Sequence, residues 1–183
     1  MKGLEVATTR GTVLNGVIFD SENEKADTVV IAMTGIHGNF YSNPFYFNIG
    51  ETLSTNGIDF VYAQTNDAFG EIETYNAKTG DKELIGSWNE RFSYVDDDIG
   101  SYLKFAAKNY RHIILAGHSL GANKVIHYLS THHDEKIPEH FIFLSPANLT
   151  YMMKNVSDYE KEVIRRMIRY GQGDKILPFY FLG

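Results

Sequence analysis

Ser119 lies in the pentapeptide Gly117-His118-Ser119-Leu120-Gly121, directly after the apolar run His112-Ile113-Ile114-Leu115-Ala116. A serine hydroxyl is a weak nucleophile at neutral pH. It attacks an acyl carbon only with a base at hydrogen-bond distance and donors waiting for the developing oxyanion. A G-x-S-x-G turn between strand and helix meets part of that need, because it projects Oγ above the sheet edge. The glycines at 117 and 121 leave room for strand and helix to approach the turn. The chemistry implied is acyl transfer through Ser119.

The elements that must position this serine are readable on both sides of it. Residues 112–116 are apolar on both faces, the mark of a buried parallel strand. After the turn, Ala122, Val125, Ile126 and Leu129 recur at helical spacing. Upstream, residues 3–9 and 13–20 predict a hairpin, residues 28–33 a central strand, residues 44–55 a helix stopping at Asn56-Gly57, and residues 58–63 a further strand. Residues 64–92 are polar and glycine-dotted and predict a long irregular excursion, of a length that is usually functional or mobile. Ser93-Tyr94-Val95-Asp96 has the form of a capping box, and Asp96, Asp97 and Asp98 read as a solvated helix start rather than a metal site. Val95, Ile99, Tyr102, Leu103 and Ala106 form the apolar stripe of that helix. Phe141-Ile142-Phe143-Leu144 is another buried strand. Ser157-Asp158-Tyr159-Glu160 is a second capping box, opening a helix that ends at Gly171.

Composition bounds the reading. The 183 residues suffice for one domain with a real core. There is no cysteine, hence no disulfide framework and no Cys-based metal site. Net charge is −6, and basic clusters are local, so nucleic acid is not an expected partner. The amino terminus lacks an apolar signal core and no run approaches membrane-spanning length, so a cytoplasmic location without a membrane span is expected. Residues 151–183 hold six Lys/Arg against four Asp/Glu, whereas residues 1–150 hold 11 against 19. That sign change divides the chain into a core, 1–150, and a helical cap-like segment, 151–183. Strands alternating with helices predict an α/β fold, a mainly parallel sheet with an antiparallel N-terminal hairpin and helices on both faces.

The order of these elements resembles the amino-terminal two-thirds of an α/β-hydrolase, over about residues 3–150. Two motifs carry the likeness: the elbow at 117–121, and Thr34-Gly35-Ile36-His37-Gly38-Asn39 after the third strand, which looks like the family's His-Gly oxyanion loop with Thr34 in the place of His. By position, the resemblance makes Ser119 the nucleophile and the backbone N–H groups of Ile36 and Leu120 the oxyanion donors. Asn39 is the donor instead if the loop aligns on His37-Gly38. The segment Gly86-Ser87-Trp88-Asn89-Glu90-Arg91-Phe92 also resembles members acting on small acyl esters. A small-molecule carboxylic ester or thioester is the implied substrate, with no metal and no organic cofactor. Tyr151, Met152 and Met153 either line an apolar acyl site or pack a helix core.

Members of that family follow the nucleophile with an acid and then a histidine. Here His127, His132 and His133 fall on or just past the elbow helix, leading away from Oγ, and His140 starts a strand at the sheet's far edge. Asp158 and Asp174 read as cap and loop residues. His118 is expected beneath the elbow as a hydrogen-bonded structural histidine. His37 lies in the oxyanion loop and is either a pocket residue or an unusual base for Ser119. Three readings follow. The chain is the amino-terminal part of a serine esterase whose acid and base lie beyond residue 183, and this truncation makes turnover by these residues weak or absent. Alternatively it is a short binding or assembly module with a degenerate site, forming a homodimer that covers the apolar edge at 141–144. In the third reading the short chain is itself a hydrolase with an unusual base.

Overall fold

The structure, a computed structural model, describes residues 1–21, 25–132, 138–173, 175, 177 and 178, without the side chains of 152 and 153. His133, Asp174, the Met152 and Met153 side chains and most of the run from 175 to 183 therefore lie outside the described residues. Two compact units are present, Met1–Ala147 and Asn148–Gly183.

In the first unit, β1 (Lys2–Ala7) and β2 (Val13–Phe19) form the expected antiparallel hairpin, with Gly11 at φ +103 in its turn. Next come β3 (Thr28–Met33), α1 (Phe45–Thr55), β4 (Asp59–Ala63), β5 (Ile72–Tyr75) and β6 (Lys82–Ile85). Then follow α2 (Val95–Asn109), β7 (His112–His118), α3 (Leu120–Thr131) and β8 (His140–Leu144). Six strands make one sheet in the order β1-β2-β4-β3-β7-β8. The pairings of β1 with β2 and β2 with β4 are antiparallel, and the remaining three are parallel. This is an α/β-hydrolase-type sheet.

Alternation along the central strands dictates the layers. Val29, Ile31 and Met33 of β3 and Val61 and Ala63 of β4 face one way, into a core closed by Val95, Ile99, Tyr102, Leu103 and Ala106 of α2 and Val125 and Tyr128 of α3. Val30, Ala32, Phe60 and Tyr62 face the other way, onto Tyr46 of α1. Helices thus cover both faces, and β3 is buried on both because it lies between β4 and β7. The second unit contains α4 (Leu149–Lys154) and α5 (Asp158–Arg169). The Ser157–Glu160 capping box is formed at the start of α5, and Gly171 (φ +67) lies just past its end.

Three local expectations are corrected. Residues 64–92 are not irregular throughout: β5 and β6 pair as a separate antiparallel hairpin. The Ser93–Asp96 capping box is not formed, since Tyr94 occupies the N-cap of α2 with no side-chain cap bond. The acid run is no solvated helix start either. Asp97 receives the Thr9 and Arg10 N–H groups at 2.9 and 3.1 Å, and Asp98, 3% exposed, receives Arg10 at 2.9 Å and the Asn66 N–H at 2.9 Å. A helix start seen in one dimension gives no hint of a hairpin turn 87 residues upstream folding over it.

Burial pushes the Asp98 carboxyl above its ordinary range, against the pull of Asn66 and Arg10. Deleting one partner of such a buried pair strands the other charge, at a cost of about 3 kcal/mol. Arg10→Met is expected to lower unfolding stability by about that much in urea titrations, and Arg10→Met/Asp98→Asn by distinctly less.

Candidate active site around Ser119

The elbow forms where β7 hands over to α3. Ser119 adopts φ +53, ψ −126 and stands at the N-cap of α3. Few non-glycine residues take such a backbone, and those that do cluster at functional sites. The motif glycines explain how the turn is tolerated. A Cβ on Gly117 would lie 2.6 Å from Ala122 Cα, and one on Gly121 would lie 2.5 Å from Met33 O and still closer to Thr34 O. The end of β8 and the chain following it brace the turn: Ser119 N–H donates to Leu144 O at 3.0 Å, while Asn123 exchanges two hydrogen bonds with the Ala147 backbone.

Parallel pairing puts Met33 opposite Gly117, so the loop after β3 arrives beside the serine. A Cβ on Gly35 would lie 2.9 Å from Ser119 Cβ and 3.3 Å from Oγ. The loop closes on itself through Gly38 N–H to Gly35 O at 2.9 Å and the Thr34 hydroxyl to Gly38 O at 3.1 Å. Thr34, fully buried, is the internal tie of the loop. The Asn39 N–H is already given to Ser42 Oγ at 3.2 Å. Among the described residues, the Ile36 and Leu120 N–H groups make no hydrogen bond.

His37, at φ +54, is exposed and turned toward the 64–92 excursion. Its Nδ1 meets Ser87 Oγ and lies 3.3 Å from Phe69 O, and the Ser87 hydroxyl donates to Phe69 O at 2.8 Å. Among the described residues Ser119 Oγ has no hydrogen-bond partner, and His37 is not joined to it. Among the described residues, the downstream histidines are engaged elsewhere or remote. His127 Nε2 lies 3.7 Å from Asp96, His132 stacks on Tyr128 at 4.1 Å, and His140 begins the edge strand β8. The expectation for His118 is half met. Its ring packs edge-on against Phe45 and Tyr46, but among the described residues its buried Nδ1 has no hydrogen-bond partner.

Sequence reasoning missed a buried charge cluster one turn beyond Ser119. Lys124 of α3 is 2% exposed, and its Nζ lies 2.5 Å from Asp67 and 2.6 Å from Glu90. Ile126, expected on the apolar face, is 46% exposed instead. The lysine takes the inward place because two carboxylates from the excursion meet it there. Burial pushes the Asp67 carboxyl up to about 6, with Lys124 pulling against it. Burial acts to lower Lys124, but Asp67 and Glu90 together outweigh it and hold the ammonium above the usual lysine range. The signal available in sequence was a lysine interrupting a helix face, which reads as noise without its partners. Among the described residues no group of three or more His, Cys, Asp or Glu is placed to hold a metal ion, and no helix is long and apolar enough to cross a membrane.

A family model described as "Protein of unknown function (DUF1749)" matches residues 10–183. The chain belongs to the DUF1749 family. No curated protein matches the sequence. Solved structures resemble the DUF1749 chain in fold at low sequence identity. Est1E from Butyrivibrio proteoclasticus matches with a TM-score of 0.63 and 18% identity, over 86% of this chain and 57% of that one. The α/β hydrolase GrgF from Penicillium sp. sh18 matches with 0.61 and 14%, over 93% and 55%. The Pyrococcus furiosus esterase Pf2001 matches with 0.60 and 16%, over 96% and 63%. The chain therefore spans less than two thirds of the length of these structures. The neighbours are esterases and hydrolases, and the shared architecture is the α/β-hydrolase fold.

Two outcomes test this geometry. Gly121→Ala is expected to cost about 2–3 kcal/mol in urea unfolding, as overpacking against immovable backbone does, while Gly3→Ala, with open space around it, stays within about 0.5 kcal/mol. The Asp67 carboxyl holds its proton more tightly folded than unfolded, so its contribution to stability falls as pH rises from about 4 to about 6. Asp98 acts in the same direction and Asp97, held below the ordinary range, in the opposite one. Asp67→Asn removes only its own part: the variant should gain on the wild type across that window, by on the order of 2 kcal/mol, in stability measured at matched pH values.

Proposed function

We propose that this protein is a serine hydrolase acting on small carboxylic esters or thioesters through an acyl-Ser119 intermediate. The observation that carries the reading is the left-handed Ser119 elbow facing the Gly35 loop, with the two unengaged N–H groups of Ile36 and Leu120 flanking it. Esterase neighbours of the same fold support it, and one of them, Est1E, is described with ferulic acid bound.

In this mechanism Oγ attacks the carbonyl carbon as its proton passes to a base. The carbonyl π pair moves onto oxygen, where the Ile36 and Leu120 N–H groups receive the charge. Collapse breaks the bond to the alcohol or thiol, which leaves with the proton. Water then adds to the acyl carbon by the same route and frees Ser119. No step calls on a cofactor. Because Oγ lacks a partner among the described residues, we place the acid and the base outside the described residues. The core over 1–150 then holds the nucleophile and oxyanion loop, and 151–183 serves as a cap-like segment. His37 is assigned to the pocket rim. The same unpartnered Oγ, together with Phe141 and Ile142 at 56% and 43% exposure on edge strand β8, favours one other reading: a degenerate assembly module whose edge is covered by a second copy.

A fluorophosphonate probe separates these. A general base accelerates such attack by about 10²–10⁴-fold. Ser119 in this chain is expected to label at least about 100-fold more slowly than in a form extended past residue 183, with Ser119→Ala abolishing both signals. Absence of labelling in the extended form, together with a concentration-dependent dimer, would leave the assembly module as the surviving reading. Fast labelling of the 183-residue chain would place a base within it.

A further inference from the structure

We propose that Lys124 is a positioning residue for the Ser119 site, clamping both ends of the 64–92 excursion to the elbow helix and thereby fixing the loop that carries Ile36. The consequence for catalysis rests on the acyl-Ser119 reading; the clamp itself does not.

The geometry begins with where the three charges come from. Lys124 follows the nucleophile by five positions on α3, so it moves as one body with the elbow. Its partners lie at opposite ends of the excursion, Asp67 near the start and Glu90 near the close. One ammonium therefore gathers two segments more than 20 residues apart onto the helix that holds Ser119. Asp67 Oδ1 is further fixed by the Thr65 hydroxyl. The neighbouring charges are also accounted for: Asp98 of α2 lies behind Asp67, bound to the Asn66 N–H and to Arg10 from the hairpin turn.

From the clamp, a continuous chain of contacts leads to the oxyanion loop. Gly86 N–H donates to Asn66 O at 2.8 Å, Ser87 N–H to Phe69 O at 3.1 Å and Trp88 N–H to Gly70 O at 3.0 Å, which zips the two ends of the excursion together. Ala68 forms a parallel bridge with His37, and Ser87 and Phe69 hold the His37 ring. His37 is the residue after Ile36, while the residue before it, Gly35, abuts Ser119. The Ile36 N–H is therefore held between a fixed elbow on one side and the excursion on the other. His37 and Phe69, at φ +54 and +67, both keep uncommon left-handed backbones at this junction, and such conformations persist only where surrounding contacts enforce them. A buried ion cluster adds little stability over apolar residues of the same size, so the return on burying three charges here is a fixed register between helix and loop.

Donors that act on the developing oxyanion lower the barrier without tightening ground-state binding. Loss of the clamp should then appear in the rate of acylation rather than in affinity. The neutral variant Lys124→Met/Asp67→Asn/Glu90→Gln keeps the packing volume and strands no charge. The single variant Glu90→Gln, on the most exposed partner, serves if the triple variant does not fold. Each is compared with wild type by thermal melting, by amide hydrogen exchange resolved to residues 35–38 and 66–70, and by fluorophosphonate kinetics on whichever chain form labels. The expected result is a melting temperature within a few degrees of wild type and at least tenfold faster exchange in both segments. The maximal labelling rate falls at least tenfold while the half-saturating probe concentration stays within twofold, and Glu90→Gln shows the same pattern at about a third of the size. Folded variants with unchanged exchange at 35–38 would overturn the proposal, as would a loss seen only in half-saturation. Faster exchange in a protein that no probe labels in any form would uphold the clamp and reject the acyl-serine reading instead.

Discussion

At Gly121 the first turn of α3 meets the carbonyl oxygens of Met33 and Thr34 with room for no side chain. That contact sets the rest of the site. It seats the elbow helix directly on the end of β3, so the loop leaving β3 must turn away within one residue, and Gly35 turns against Ser119. The Thr34 hydroxyl then closes the loop on Gly38, and Gly117 allows α3 to fold back over β7. Each arrangement follows from the same packing limit: parallel strands about 4.8 Å apart cannot deliver a helix and a loop to one point unless glycine lines the approach.

A second level of organisation is electrostatic and long-range. Arg10 joins the hairpin turn to α2, Asp98 joins α2 to Asn66, and Lys124 joins the excursion to α3. These links cross 32 to 88 residues of sequence, and each buries at least one charged group that would be costly without its partner. The excursion carries no apolar core of its own; its β5–β6 sheet has exposed Ile72, Tyr75 and Leu84. Its place on the body is therefore defined by ions and backbone bonds more than by burial of apolar surface.

What sequence could and could not convey follows from that division. Strand β3 is recovered at its observed bounds because an apolar run long enough for both faces of a sheet has one reading. The elbow was legible because its glycines and serine are constrained by local sterics. The Ser157 cap was legible for the same reason: its partner Glu160 lies three residues away. The acid run at 96–98 was misread and Lys124 was passed over because their partners lie far along the chain, and a charge seen without its counter-ion defaults to solvent. Thr34 was visible only as a departure from the family's His, whereas its role depends on Gly38 folding back within reach. Asn123, which pins the chain after β8 to the elbow, offered no pattern at all.

Ser119 itself shows what this construction demands. At φ +53 and ψ −126 the backbone takes a form that glycine adopts freely and that costs other residues about 1–3 kcal/mol. Replacing the serine by glycine would relieve that strain and delete the hydroxyl in one step. Under the proposed acyl-serine reading, stability and chemistry pull this position in opposite directions, and the fold's own preference is for the residue without a hydroxyl.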